Sequence, residues 1–96
     1  MGRFDDKEKA LDLNEKGVEL SELERYEESI ACCDQLIKLN PEFQNAKGNM
    51  LFDKLQKYEE ALVCFDEVIR FNPKNSDGWY NKGKTLKKNT EILLKK

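Results

Sequence analysis

Apolar side chains recur along this chain at intervals of four and three residues. Between positions 26 and 37 the stripe consists of Tyr26, Ile30, Cys33 and Ile37. Between positions 58 and 69 the same intervals return as Tyr58, Leu62, Phe65 and Ile69. Residues at these intervals share one face of an α-helix, so each stripe predicts an amphipathic helix. No segment alternates with a period of two between turn residues, and the pattern therefore predicts no strand.

Both stripes lie in a duplicated segment. Residues 25–41, RYEESIACCDQLIKLNP, align without a gap with residues 57–73, KYEEALVCFDEVIRFNP, which begin 32 positions later. Each copy ends in Asn-Pro, and proline disfavours helical geometry in the residue before it, so both helices stop at the same place. The dipeptide Lys-Gly occurs three times, ending at Gly17, Gly48 and Gly83, each time in another helical stretch. The chain therefore predicts a repeated helix-turn-helix unit.

The three Lys-Gly glycines lie inside predicted helices, where glycine is unfavourable. A glycine inside a helix costs on the order of 1 kcal/mol relative to alanine. We expect that a neighbouring helix approaches closely at all three positions. The alternative interpretation is that each glycine marks a loose or frayed helix.

On these residues the sequence resembles the tetratricopeptide repeat (TPR) family, with its period of about 34 residues and its W-x2-L-G-x2-Y…A-x3-F…P pattern. The second copy places Tyr58, Ala61, Phe65 and Pro73 on the family's Tyr, Ala, aromatic and Pro positions. In the first repeat the corresponding residues are Leu13, Gly17, Leu20, Ser29, Cys33 and Pro41. Trp79 and Gly83 supply the Trp and Gly of a third repeat, which implies that Trp79 is part of the core.

The resemblance implies an all-α fold, a right-handed α-solenoid of about two and a half repeats. We expect a single domain, residues 1–96, with repeats at about 10–41, 42–73 and a truncated 74–96. The expected helices are roughly 6–22, 26–39, 42–56, 58–71 and 76–95.

The second repeat departs from the pattern in two places. Pro41 is followed by Gly48 after 7 residues, whereas Pro73 is followed by Gly83 after 10, so the loop and first turn are shortened. Ten residues separate Gly48 from Tyr58, against nine in the first repeat, so one residue is inserted before the second helix.

The last helix is expected to be continuous, with its first half packed on the helix of residues 58–71. Its final apolar residues, Ile92, Leu93 and Leu94, are expected to project past the body of the domain. They would then either dock on a second copy or cover the end of their own solenoid.

Composition narrows the class of protein. Charged residues make up 38% and hydrophobic residues 39% of the 96 residues, the net charge is −2, and no apolar run approaches the 18 or so residues of a membrane span. The first twelve residues lack the basic start and apolar run of a secretory signal, so we expect a soluble cytoplasmic protein without a membrane partner. Three cysteines, Cys32, Cys33 and Cys64, cannot all pair within one chain and suit packed thiols in a reducing compartment. A thiolate metal site is the alternative, but the chain has no His to complete it.

The sequence contains few residues arranged for catalysis. The sequence has no His, no Gly-rich phosphate loop and no serine with a base beside it. The pairs Glu27-Glu28 and Glu59-Glu60 fall in the first turn of a helix, where negative charge favours the helix dipole. Asp34 and Asp66 recur at equivalent points and are expected on a solvated outer face. We therefore expect no enzyme, no cofactor, no metal and no small-molecule substrate.

Lysines are concentrated in residues 82–96, which hold six of them and one acid, Glu91. Such a cluster beside Trp79 could bind nucleic acid, but the repeat pattern assigns Trp79 to the core and the whole chain is acidic. We expect no nucleic acid partner, since lysines near a helix C-terminus also complement the helix dipole.

The resemblance implies that the chain binds protein, because the first helices of successive repeats line a concave groove in this family. The groove positions that it implies are Asn14, Val18, Ser21, Glu22, Asn45, Asn49, Phe52, Asp77, Tyr80, Asn81, Lys84 and Lys88. Some members clamp the C-terminal carboxylates of chaperones with Lys, Asn and Arg, but here those points read Asn14, Val18, Ala46, Asp77 and Asn81. The sequence therefore indicates an adaptor or scaffold for a peptide or helix of another protein, but not a receptor for chaperone tails. The alternative is a self-assembling unit, a homodimer through the truncated C-terminal repeat.

Overall fold

The computed structural model describes the backbone of residues 2–95 and the side chains of residues 6–95. Five α-helices and no strand occur in this part of the chain: α1 (Gly2–Glu22), α2 (Tyr26–Leu39), α3 (Phe43–Asp53), α4 (Tyr58–Phe71) and α5 (Ser76–Leu94). The expected helices are confirmed, except that α1 begins four residues before the predicted position 6 and α3 ends three residues before the predicted position 56. None of the described helices combines the length and the apolar character that crossing a membrane requires.

The helices stack in chain order. Each one contacts the next along the sequence, and the only further contact between helices of the described chain is a slight one between α3 and α5. The result is elongated, with extents of 52 × 33 × 15 Å and a radius of gyration of 14.3 Å, against about 12.5 Å for a compact domain of this length.

The core is built from equivalent residues of α2 and α4. Ser29 and Ala61, 32 positions apart, are both fully buried, and the serine hydroxyl donates a hydrogen bond to the carbonyl of Gly17 at 2.7 Å. The other buried equivalents are Cys32 with Cys64, Cys33 with Phe65 and Leu36 with Val68.

This core face is rotated from the stripe that the spacing predicted. Tyr26 and Ile30, with their equivalents in α4, are only half-buried. The reason is that α2 contacts both α1 and α3, so a helix covered on two sides buries a wider arc than a single stripe.

Backbone hydrogen bonds confirm the inserted residue of the second repeat. The amide of Arg25 donates to the carbonyl of Leu20, whereas the equivalent amide of Lys57 donates to Leu51, one residue further back. Leu20 and Leu51 are both buried, so the extra residue lies in the connection after Leu51. The shortened loop is confirmed as well, because α3 begins two residues after Pro41 whereas α5 begins three residues after Pro73.

Close helix approach is confirmed at two of the three Lys-Gly glycines. A Cβ at Gly17 would meet Cβ of Cys32 at 3.5 Å, an ordinary contact, whereas one at Gly48 would lie 2.5 Å from Cε1 of Phe65, which is too close for a side chain to fit without a shift. At Gly83 the expectation is wrong, because this glycine is exposed and a Cβ there would have no neighbour within 4 Å.

The third repeat also corrects the placement of Trp79. Helix α5 is continuous and packs on α4, as expected, but it does so through Gly78, which a Cβ would bring within 3.0 Å of Val68. Trp79 is 51% exposed, and its indole N–H donates to the carbonyl of Pro73 at 2.7 Å. Trp79 and Gly83 belong to the face that a second helix covers in the other repeats, and no such helix follows within the described residues. Trp79 is therefore not a core residue.

The end of α5 agrees with the expectation only in part. Leu93 and Leu94 are exposed, as expected. Ile92 is half-buried and lines a shallow cavity with Tyr58 at the start of α4, so it does not project into solvent.

Candidate functional site

An apolar slot opens between α1 and α3, with α2 as its floor. It has a volume of ≈ 240 Å³. Its walls and floor consist of Asn14, Gly17, Val18, Ser21, Glu22, Ser29, Cys33, Leu36, Phe43, Ala46 and Met50. The predicted groove residues of α1 are thus brought together here, with Val18 half exposed toward the opening.

Sequence reasoning missed the α3 side of this slot. Phe43 and Met50 line it, but neither was among the predicted groove positions. Phe43, Ala46 and Met50 follow one another at intervals of three and four, and this apolar stripe is the signal that could have found them.

An amide pair joins the next two helices. The side-chain amide of Asn81 on α5 donates to Oδ1 of Asn45 on α3 at 3.0 Å, and Asn81 is only 7% exposed. Asn49 lies one turn after Asn45 and is half-buried. The predicted groove residue Asn81 therefore holds α3 and α5 together, and most of its side chain is not available to a ligand.

A cationic and aromatic patch follows at the far end. The Lys84 ammonium lies 4.6 Å from the ring centroid of Phe52 and 5.8 Å from that of Tyr80. Phe52 in turn meets the Tyr58 ring edge-on at 5.1 Å. A small cavity beside it is lined by Phe52, Lys84, Lys87, Lys88 and Glu91. Three predicted residues, Phe52, Tyr80 and Lys84, thus meet directly, and Lys88 shares the adjoining cavity, while Asn14 and Val18 lie in the separate slot.

The cysteines do not supply a nucleophile to this surface. All three are buried and unpaired in the described chain, as expected of packed thiols. Burial raises the pKa of the Cys33 thiol, and it raises that of Cys64 to about 11. Reactivity requires the thiolate, so both sulfurs stay protonated and inert near neutral pH. Residues 6–95, whose side chains are described, also bring together no group of three His, Cys, Asp or Glu side chains suited to a metal ion.

The aspartates of α2 and α4 are exposed, as expected, and each also forms an ion pair with the next helix. Asp34 pairs with Nζ of Lys47 at 2.7 Å, and Asp66 pairs with Nζ of Lys82 at 2.8 Å. Each pair joins the second helix of one repeat to the Lys-Gly dipeptide of the next. The hydrogen bond to Asp34 raises the pKa of Lys47, so this lysine is charged at any physiological pH. Because the aspartates are half exposed, each pair adds at most about 1 kcal/mol to the contact between the two helices.

Comparison with known families fits this geometry. A family model described as tetratricopeptide repeat matches residues 13–43, and one described as TPR repeat matches residues 48–89. The chain belongs to the tetratricopeptide repeat family. Residues 44–47 lie between the two matched segments. They belong to the first turns of α3, directly after the shortened loop of this TPR chain. No curated protein and no solved structure matches the TPR chain. Repeats of the TPR family mediate protein–protein interaction, and the family is generally not enzymatic.

Proposed function

We propose that this TPR chain is an adaptor or scaffold that holds a peptide or helix of a partner protein in its concave groove. The observation that carries the proposal is the pairing of an apolar slot with a cationic and aromatic patch along the first helices of the repeats. Helix α3 contributes to both, through Met50 in the slot and Phe52 in the patch. A segment crossing α3 would therefore contact both.

The size of the slot indicates which kind of ligand it binds. Drug-sized ligands occupy pockets of about 300–1,000 Å³, whereas the slot measures ≈ 240 Å³ and is lined mainly by apolar atoms. A large apolar side chain of a peptide suits it better than a free small molecule. We propose that such a side chain enters beside Val18.

The charges of the groove give the bound segment a direction. Glu22 lies at the slot, whereas Lys84, Lys87 and Lys88 surround the far cavity. Complementary charge orients a partner and speeds its association. We propose that the partner places an acidic stretch against these lysines.

The test begins with a peptide selected from a displayed random library on the immobilised protein. Its affinity is then measured by titration calorimetry against Lys84→Glu and against Val18→Glu. Each change should weaken binding at least about tenfold, which corresponds to about 1.4 kcal/mol, and raising the salt concentration should weaken it further. Lys38→Glu, the same charge change at an exposed position of α2, is the matched control. Equal affinity of all three variants would refute the groove.

Self-assembly through the third repeat is the second candidate. The exposed Leu86, Leu93 and Leu94 of α5 favour it. Against it, a symmetric contact of two α5 helices brings their lysines together, and like charges across an interface cost free energy. Light scattering at micromolar concentration separates the candidates, since a stable dimer that is lost on deletion of residues 91–96 would replace the adaptor proposal.

We also propose the cytoplasm as the place of action, because three buried, unpaired thiols suit a reducing compartment. We still expect no nucleic acid partner. The exposure of Trp79 removes one argument against it, but the net charge of −2 remains unfavourable to a polyanion.

A further inference from the structure

One face of α5 has no cover among the described residues. It follows the helical intervals four, three, four and three and consists of Trp79, Gly83, Leu86, Thr90 and Leu93. Leu86 is 45% exposed, Leu93 is 55% exposed, and Gly83 has open space where a Cβ would stand. These five residues are called the open face below.

The same face is covered twice elsewhere in the molecule. In all three first helices a Lys-Gly glycine is followed three residues later by a leucine: Leu20, Leu51 and Leu86. Leu20 is buried where α2 packs on α1, and Leu51 is buried where α4 packs on α3. The small residue of the covering helix, Ser29 or Ala61, is itself fully buried. The chain therefore displays, in its own first two repeats, the kind of helix that fits the open face.

Those covering helices share a charge pattern. Helix α2 begins with Glu27 and Glu28 and helix α4 with Glu59 and Glu60, and each carries one basic residue in its last turn. Both have more acidic than basic residues, whereas α5 has four lysines against Asp77 and Glu91.

The lysines of α5 border the open face. Trp79 and Gly83 share a shallow cavity with Tyr80, Lys84 and Lys87. Lys82 lies on the other flank, 5.7 Å from the Trp79 ring, but it is already paired with Asp66. An acidic helix laid on this face meets opposite charge, and a second α5 meets like charge.

We propose that the open face of α5 binds an acidic amphipathic helix of another protein, with an aromatic side chain against Gly83 as Phe65 lies against Gly48. The occupant packs on α5 as α4 packs on α3 and adds one helix to the stack. This site goes beyond the groove, because its central residues, Gly83 and Leu86, are not part of the groove. Lys84 and Lys87 line both the cavity of the groove and the cavity beside the open face.

The probe is a synthetic peptide with the sequence of residues 56–73, carrying Cys64→Ala to prevent oxidation. The peptide has no tryptophan, and Trp79 is the one tryptophan of the chain. Its fluorescence therefore reports occupancy of the open face directly. Titration of the peptide into the intact protein should shift the Trp79 emission to the blue in a saturable way. A second peptide with Ala61→Glu as an added change should produce no saturable shift.

Gly83→Gln is the decisive variant, because the space around Gly83 is open and the substitution leaves the fold intact. A glutamine there blocks the close approach of a helix and should weaken the peptide at least about tenfold. Val18→Glu, in the groove, should leave the affinity unchanged, which separates this site from the proposed function. Lys87→Glu and added salt should both weaken binding.

Two results would overturn the proposal. One is a Trp79 emission that stays unshifted up to millimolar peptide, or a shift that Gly83→Gln leaves unchanged. The other is a blue shift that follows the concentration of the protein alone, together with a doubled mass in light scattering, which would assign the open face to a second copy.

Discussion

Gly48 and Gly83 each follow a lysine in a Lys-Gly dipeptide, but Gly48 is tightly packed whereas Gly83 faces open space. A Cβ at Gly48 would lie 2.5 Å from Cε1 and 2.8 Å from Cζ of Phe65, a ring that is fully buried and has no room to retreat. We expect Gly48→Ala to lower the free energy of unfolding by about 1–3 kcal/mol, because overpacking outweighs the gain in helix propensity. Chemical denaturation measures the change.

Gly83→Ala is the matched control for this prediction. A Cβ at Gly83 has no neighbour within 4 Å, so the substitution should raise the free energy of unfolding by about 0.5–1 kcal/mol, the usual gain from removing a helical glycine. If both variants shift stability in the same direction, the close approach at Gly48 is not what distinguishes the two sites.

At the scale of the elements, the turns between the helices of a repeat hold backbone strain. Glu24 has φ of 61° and Gln56 has φ of 55°, and each directly precedes a duplicated segment. This left-handed conformation costs a residue with a Cβ about 1–2 kcal/mol, whereas glycine adopts it freely. Gln56→Gly should therefore raise the free energy of unfolding by about 0.5–1 kcal/mol after the entropy of the unfolded chain is counted.

Lys54→Gly tests the same turn with the opposite sign. Lys54 has φ of −102°, a conformation in which glycine has no advantage, so the variant should lose about 0.5–1 kcal/mol. Thermal unfolding of both variants beside the parent decides the matter, and a stabilising Lys54→Gly would show that flexibility and not strain governs this turn.

The helices were predictable because the same boundary signals occur in both copies of the duplicated segment. The stripes from Tyr26 and Tyr58 and the stops at Pro41 and Pro73 define α2 and α4 within a residue, since helical period and proline act locally. The end of α3 was placed three residues too late, because an inserted residue can extend a helix or lengthen a turn, and the pattern does not choose between them.

The candidate site was predictable only where the repeat pattern applies unchanged. Val18 and Lys84 were assigned to the groove by position. The exposure of Trp79 was missed because a motif specifies which face of a helix is apolar, not whether a second helix covers it. The pair of Asp34 with Lys47 was missed for a related reason, since it depends on how successive repeats are rotated against each other.

For the whole molecule, the stack behaves as a nearly one-dimensional object. Each helix contacts its neighbours in the chain, and among the described residues only those of α3 and α5 meet across an intervening helix. In such an arrangement stability is roughly a sum over units and their interfaces. A change in the slot between α1 and α3 therefore reaches the open face of α5 only through the intervening contacts of α3 and α4. The slot and the open face are therefore expected to act independently, whereas the cationic patch shares Lys84 and Lys87 with the cavity beside the open face.

The 15 Å thickness of the molecule has a calorimetric consequence. Its accessible surface is 6886 Å², whereas a compact protein of 11.3 kDa would expose about 5,700 Å². Unfolding therefore uncovers about a tenth less new surface than usual for this mass. Because the heat-capacity change follows that surface, it should fall at or below the lower end of the usual range of about 12–15 cal/mol/K per residue. The curve of stability against temperature is then shallow, so this thin stack should lose little of its stability on cooling, and a heat-capacity change above that range would contradict the elongated shape.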